Sequence, residues 1–423
     1  MSSHSVSKKV LVLLTSRYPY KPGEEFLSNE IAILSSFFDR IHIIPTNHIV
    51  DLQTVRPIPN NVTVHLFDSL CKPVGMLRKF LQAGLLFLNH HNIKVLKEEW
   101  KRASQFGMRG ILKACYWFSL AEVVRKELNV FLNGLNEDDI ILYSYWLSPA
   151  AMAITMVDKT DVIKVARAHG GDLYEYRYNP PYLPFQISVI KSLDRLFTIS
   201  KDGYTYLVNK DESIESKLSI ARLGTRNHHQ RAKKSKDGVL RIVTCSYLKP
   251  VKRISLLVQA LSYCKSKVLW THIGDGELRD EILEKASQLP PNIEFRFLGN
   301  LSNDQVLETY TNYAFDLFVN VSESEGIPVT IMEAFSFGIP VMATNVGGTA
   351  ELVNDENGVL ISKDVSPQEL GKYIDEYALL PDDVKEKMSE AAYRTWSVQY
   401  NAEQNYSSFA KELLKIKEMK KDE

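Results

Sequence analysis

The sequence predicts an α/β protein made of two doubly wound, Rossmann-like domains in tandem. Short runs of branched apolar residues recur along it, each of a length suited to a strand buried on both faces. Stretches of helical periodicity separate these runs. The alternation extends from Lys9 to about Ser200, pauses over a polar, lysine-rich stretch, and begins again near Leu240. At 423 residues the chain also exceeds one ordinary core, so two domains is the prior.

The first strand is KVLVLLT (9–15), followed by the polar loop SRYPYKPGEE and a helix from about Leu27. Further strands are IHIIPT (41–46), VTVHLF (62–67), DIILYSY (139–145), VIKVARAHG (162–170) and RLFTIS (195–200). The predicted first domain is 1–205 and the predicted linker 206–237. The second domain, 238–394, then carries LRIVTCSYL, VLWTHIGDG, IEFRFLG, FDLFVNVS, VMATNV and GVLIS.

Apolar residues make up 45% and charged residues 24%, a soluble globular profile. Lysine plus arginine equal aspartate plus glutamate at 51 each, so global charge indicates no nucleic-acid partner. Cys71, Cys115, Cys245 and Cys264 show no CxxC spacing and read as free thiols of a reducing compartment. The N-terminal apolar run is only VLVLL, too short for a signal peptide, and no stretch approaches a membrane span. A cytoplasmic protein is expected. Residues 71–130 hold 11 lysines and arginines against 4 acids, interleaved with aromatics. Such a helical pair either lies peripherally on the anionic inner face of the plasma membrane or presents solvated basic faces while packed on the sheet.

SESEGIPVTIMEAFSFGIPVMATNVGGTAEL (322–352) carries the most chemistry. It leaves the carboxyl end of a strand, where open α/β sheets bind ligands. Pro328 suits the first helical position and Gly338 the end of a helix reaching about Phe337. The first turn offers unpaired N–H groups and a positive dipole end, an anion site suited to phosphate. Gly326 lets backbone approach a ligand. Glu325 precedes the helix and Glu333 lies in its second turn, placed to reach two parts of one elongated ligand. Carboxylates are pure acceptors, suited to sugar hydroxyls. The plainer alternative makes Glu325 a dipole charge and Glu333 a solvated surface residue.

This string resembles the donor-binding motif of retaining glycosyltransferases of the GT-B fold, in the large group 1 family numbered four. That pattern has an acid before Gly-(Phe/Ile)-Pro, a second acid after seven intervening residues, then Gly-x-Pro-Val and Gly-Gly-x-x-Glu. The resemblance implies two Rossmann-like domains facing a cleft, the first on the acceptor side and the second binding the nucleotide sugar. It places Glu325 near the donor sugar and its phosphate, Glu333 on the ribose hydroxyls, and Gly326, Ile327 and Pro328 along the donor. In CSYLKPVKRISLLVQAL (245–261), Lys252 matches the lysine that holds the diphosphate. Ser246-Tyr247 stand where Gly-Arg is usual, so Arg253 or Lys249 would supply the missing cation. Leu298 and Gly299 match the backbone that meets the nucleobase, and HIGDGELRDEIL (272–283) resembles the family's Gly-x-Gly turn.

In the first domain, ARAHGGDLYEYRY (166–178) resembles an R-x-H-G-x-D string whose histidine faces the donor sugar, a role carried to His169. A satisfied strand-end histidine is the alternative. Gly23, in the first loop, is the residue expected nearest the acceptor and phosphates. The C-terminal helix, 395–423, resembles one that crosses back to the first domain.

The resemblance implies transfer of a sugar from a UDP- or GDP-linked donor to a glycan or lipid-linked glycan acceptor, in capsule, exopolysaccharide or lipopolysaccharide synthesis. His169, Glu325 and Lys252 would carry catalysis, with no metal and no further cofactor. A sugar-nucleotide epimerase or a non-catalytic sugar-nucleotide-binding scaffold are the alternatives. A dinucleotide oxidoreductase is disfavoured, because no G-x-G-x-x-G follows the first strand.

Overall fold

Each apolar run becomes a parallel strand because its side chains alternate between two cores. The computed structural model describes residues 8–71, 97, 99–135, 137 and 139–422. The chain divides into two compact units: residues up to Ala221 together with those from Tyr406, and Arg222–Asn405.

The first unit contains β1 (Val10–Thr15), β2 (Arg40–Pro45), β3 (Val62–Val64), β4 (Ile140–Ser144), β5 (Ile163–Ala168), β6 (Arg195–Thr198) and β7 (Leu218–Ile220). They form one sheet in the order β3-β2-β1-β4-β5-β6-β7, with every pairing parallel. Val10, Val12 and Leu14 pack on one face with Ala114, Phe118 and Leu128 of the long helix Gly107–Asn133. Leu11 and Leu13 pack on the other with Leu27, Ile31 and Leu34 of helix Leu27–Leu34. Phe409, Leu413 and Ile416 of helix Ala402–Asp422 join that second core at helical spacing. Burying such a side chain contributes about 1.5–3 kcal/mol.

The second unit contains β8 (Leu240–Cys245), β9 (Val268–Ile273), β10 (Ile293–Phe297), β11 (Leu317–Asn320), β12 (Val341–Thr344) and β13 (Gly358–Ile361). Their order is β10-β9-β8-β11-β12-β13, again all parallel. In each sheet the strand order reverses between the central pair, β1/β4 in one and β8/β11 in the other. Such a reversal opens a crevice beyond the carboxyl ends of the strands.

Two expected boundaries are corrected. Residues 206–237 are not a linker from their start: helix Lys201–Lys210, the turn Glu212–Lys217 and β7 complete the first sheet. Leu207, Ile214 and Leu218 anchor that segment in the core, too sparsely among lysines and acids to show a period. The division falls after Ala221, so the first unit runs beyond 205 and the second spans more than 238–394. The helix expected over 395–423 is two helices. Asp382–Gln399 stays in the second unit, where the buried Trp396 donates its indole N–H to Thr225 Oγ1 at 2.8 Å. Only the next helix, Ala402–Asp422, returns to the first sheet.

Candidate functional site

Lys252 follows β8 in the short turn Pro250–Lys252, and Glu325 lies in the loop after β11. They meet across the strand reversal of the second sheet. Lys252 Nζ donates to Glu325 Oε1 at 2.6 Å, and Asn320 Nδ2 reaches the same oxygen at 3.3 Å. Gly326, Ile327 and Pro328 continue this loop into helix Val329–Ser336. Pro328 is the residue capping the helix, one position before the first helical residue expected for it.

The Gly-Gly pair is the bed of this loop. Gly347 has φ +52, and a Cβ there would fall 2.1 Å from the carbonyl oxygen of Glu325. Gly348 N–H donates to Gly326 O at 2.7 Å, and a Cβ on it would sit 2.7 Å from that oxygen. Only a chain without side chains lets the two backbones touch.

Glu333 is buried, not solvated. From Ile331 onward every residue of helix Val329–Ser336 is inside the unit, so the helix offers the carboxylate no wet face. Asn303 Nδ2 donates to Glu333 Oε1 at 2.6 Å. Burial pushes this carboxyl up to about 7, the Asn303 hydrogen bond opposing. Burial, and next the Glu333 charge, push the Cys245 thiol up to about 12. Asn303 had no sequence signal except its place at the start of helix Asn303–Asn312, behind the Ser302–Gln305 capping box.

The Arg253 guanidinium donates to Val321 O at 2.7 Å and Lys363 O at 2.8 Å. It braces the end of β11 against the chain after β13. Lys249 is exposed, 5.8 Å from the centre of the Tyr247 ring. Leu298 and Gly299 follow β10. Leu298 N–H donates to His272 O, and Gly299 O accepts from Gly274 N–H, at 2.9 and 2.8 Å. Gly299 has φ +70 with open space where a side chain would stand. Gly274, by contrast, is pressed on the loop after β8: a Cβ would lie 1.9 Å from Ser246 O.

In the first unit, His169 follows β5 and is 6% exposed. Its ring lies 4.5 Å from Trp146, 4.6 Å from Tyr145 and 6.5 Å from Phe26, centroid to centroid. Among the described residues neither ring nitrogen has a hydrogen-bond partner, and both are buried. Burial, then the nearby Arg167 charge, depress its proton affinity well below the usual imidazole range, leaving it neutral. Asp172 fixes its backbone, accepting from His169 N–H at 2.5 Å and Leu147 N–H at 2.6 Å. Beneath, Arg167 and Glu30 form a fully buried ion pair at 2.5 Å.

Gly23 supplies a turn. With φ +96 it brings Glu24 back over the end of β1, where Glu24 itself takes φ +57. Glu24 was not among the expected residues, and its signal was hidden in a polar loop.

Among the described residues, no three His, Cys, Asp or Glu side chains gather as a metal-ligand set. The four cysteines are free thiols. Among the same residues no helix is long and apolar enough to cross a membrane. Of the basic segment 71–130, residues 72–96 and 98 lie outside the described residues. In the described part, Met108 and Leu112 are exposed one turn apart on helix Gly107–Asn133, with Arg109 also exposed.

Comparison with known proteins agrees with this layout. Residues 225–395 match the family model of glycosyl transferases group 1. The chain is 25% identical over 247 residues to the GtfA subunit of the UDP-N-acetylglucosamine–peptide N-acetylglucosaminyltransferase of Streptococcus agalactiae, covering 55% of this chain. It is 35% identical over 128 residues, 30% of this chain, to the O-antigen biosynthesis glycosyltransferase WbnH of Escherichia coli. The matches span 48% and 35% of those relatives' own lengths. Anabaena HepE, solved with UDP and glucose, superposes with a TM-score of 0.64 at 18% identity, covering 96% of this chain and 99% of HepE. The two reversed sheets and the matched segment give one conclusion: the chain has the two-domain GT-B fold, and residues 225–395, within its second unit, are similar to glycosyl transferases group 1.

Proposed function

We propose that the chain transfers a sugar from a nucleoside-diphosphate donor, UDP- or GDP-linked, to a hydroxyl of a glycan or lipid-linked glycan, with retention at the anomeric carbon. The Lys252–Glu325 pair carries this reading, because it spans the strand reversal in front of the helix that begins at Val329. A diphosphate entering there competes with Glu325 for the lysine, and the helix N–H groups add a second positive source. Charge developing on the leaving diphosphate is stabilised by donors already in place. Glu325, released, faces the sugar; Glu333, buried beside Asn303, accepts from the ribose hydroxyls; Gly326 to Pro328, Leu298 and Gly299 line the donor.

His169 is assigned to the donor sugar as a neutral imidazole. The reading gives no step to a metal ion. UDP is favoured by HepE, which holds UDP and glucose, and envelope polysaccharide by WbnH, an O-antigen enzyme. A lipid-linked acceptor agrees with a cytoplasmic protein touching the membrane peripherally through the basic 71–130 segment, where Met108, Leu112 and Arg109 are exposed.

The test is release of nucleotide from a panel of UDP- and GDP-sugars with glycan acceptors. Turnover is expected with at least one donor and to survive EDTA, whereas Lys252→Ala abolishes it. Activity lost in EDTA and restored by Mg²⁺ or Mn²⁺ rejects the metal-free mechanism. Nucleotide-sugar binding without any turnover rejects catalysis in favour of a binding protein.

A further inference from the structure

The first unit has its own strand reversal, between β1 and β4, and the loops leaving those two strands meet there through one carboxylate. Glu24, after β1, accepts four hydrogen bonds. Its Oε1 takes Ser16 N–H at 2.9 Å and the Trp146 indole N–H at 2.7 Å; its Oε2 takes Arg17 N–H and Tyr18 N–H, each at 2.7 Å. To reach them Glu24 adopts a left-handed backbone that is strained for a non-glycine residue, and the four bonds over-determine it. Trp146, two residues beyond β4, is thereby fixed by its only polar atom.

The ring so fixed is partly exposed and leans on His169 at 4.5 Å, with Phe26 and Tyr145 edge-on behind it at 6.2 and 5.5 Å. A core tryptophan would be covered on both faces, as Trp270 and Trp396 are at 0% exposure. Here a rigid, partly exposed aromatic plane, the buried His169 ring behind it and a strand-order reversal coincide. Ligand crevices are built that way, from an aromatic wall and a few placed polar groups.

We propose that Trp146 is a stacking platform for a pyranose ring in the first unit and that Glu24 is the residue that positions it. The ligand class is a neutral hexopyranose, whose axial C–H face lies on the exposed part of the indole. The proposal rests on the sugar-transfer reading but names a site within the first unit, so the two can fail separately.

The experiment uses the full chain labelled with ¹⁵N-tryptophan, which carries five indole N–H groups. Trp146 is assigned by its absence in Trp146→Phe. Methyl α- and β-glycosides of glucose, galactose and N-acetylglucosamine are titrated with and without UDP. At least one glycoside is expected to shift the Trp146 resonance. Affinity for it should fall about tenfold in Glu24→Ala and less in Glu24→Gln, which keeps one acceptor oxygen. In turnover, Glu24→Ala should raise the acceptor KM with little change in UDP affinity, while an unmoved resonance of Trp117, packed on the first unit's core, reports that this unit is folded. A Trp146 resonance that no glycoside moves overturns the proposal, as does unchanged glycoside affinity in Trp146→Ala. A shifting Trp146 in a protein that releases no nucleotide leaves the platform standing and rejects the transfer reading.

Discussion

Glu325 and Glu333 carry the same side chain into opposite surroundings. Glu325 has a lysine at 2.6 Å, whereas Glu333 is buried beside the Asn303 amide, and burial raises its proton affinity. Glu333 therefore holds its proton in the folded protein to about pH 7, against an ordinary 4.5 in the unfolded chain. Between those values the native state binds the extra proton, so its contribution to stability is lost as pH rises through the window. Glu333→Gln should flatten that slope, measured by denaturant unfolding on either side of the window. Nucleotide affinity should run the other way, rising with pH, because ribose hydroxyls are accepted best by the ionised form. Glu333→Ala should weaken nucleotide binding by about 1.5–3 kcal/mol in calorimetry; unchanged affinity would assign Glu333 to packing alone. For His169→Ala, kcat per folded molecule should fall about 10²-fold, the scale of one lost transition-state donor, while bare UDP affinity holds. Normal kcat in a destabilised protein would reject that role.

At the scale of elements, the loop 322–328 and helix Val329–Ser336 depend on the glycines beneath them. Gly347→Ala adds about 1–3 kcal/mol of left-handed backbone strain and also drives a methyl into Glu325 O. Gly238, at φ +74, faces open space and meets only the first cost. Gly347→Ala should lower the melting temperature and lose UDP binding, while Gly238→Ala lowers the melting temperature alone. Equal UDP affinity in both would separate the glycine bed from the site. Most strands, the helix start at Pro328 to within one residue and the Lys252–Glu325 loops were legible in the sequence, because buried parallel strands and helix entries leave local signatures. The burial of Glu333 was also there to be read: IMEAFSFGIP has no polar stripe, and an all-apolar helix has no solvent side. Asn303, the bracing by Arg253 and the Glu24–Trp146 bond were not legible. Each joins residues 30 to 122 positions apart, and no local pattern records such a pairing.

At the scale of the molecule, the last helix decides the integrity of the first unit. Phe409, Ala410, Leu413 and Ile416 cover one face of its sheet together with helix Leu27–Leu34. Ending the chain after Asn405 removes several side chains worth about 1.5–3 kcal/mol each, the order of a whole domain's stability. Such a protein should lose cooperative unfolding of the first unit and gain protease sensitivity there, while the second unit still binds UDP. A truncated chain with two intact transitions in calorimetry would show that the helix is dispensable.

The second unit's two ends also lie side by side. Thr225 N–H donates to Tyr400 O at 2.9 Å, Ala402 N–H returns to Thr225 O at 3.0 Å, and Gly224 stands where a Cβ would be 2.6 Å from Ala402 N. Topologically, the second unit is an insertion whose exit is stitched to its entrance. On the ribosome this inverts the usual order of completion. The first 221 residues emerge early yet wait, with part of one face of their sheet uncovered, until the final 18 are made. The second unit, whose chain is contiguous, is whole as soon as Asn405 is released, and its two ends can pair before the helix that completes the first unit exists.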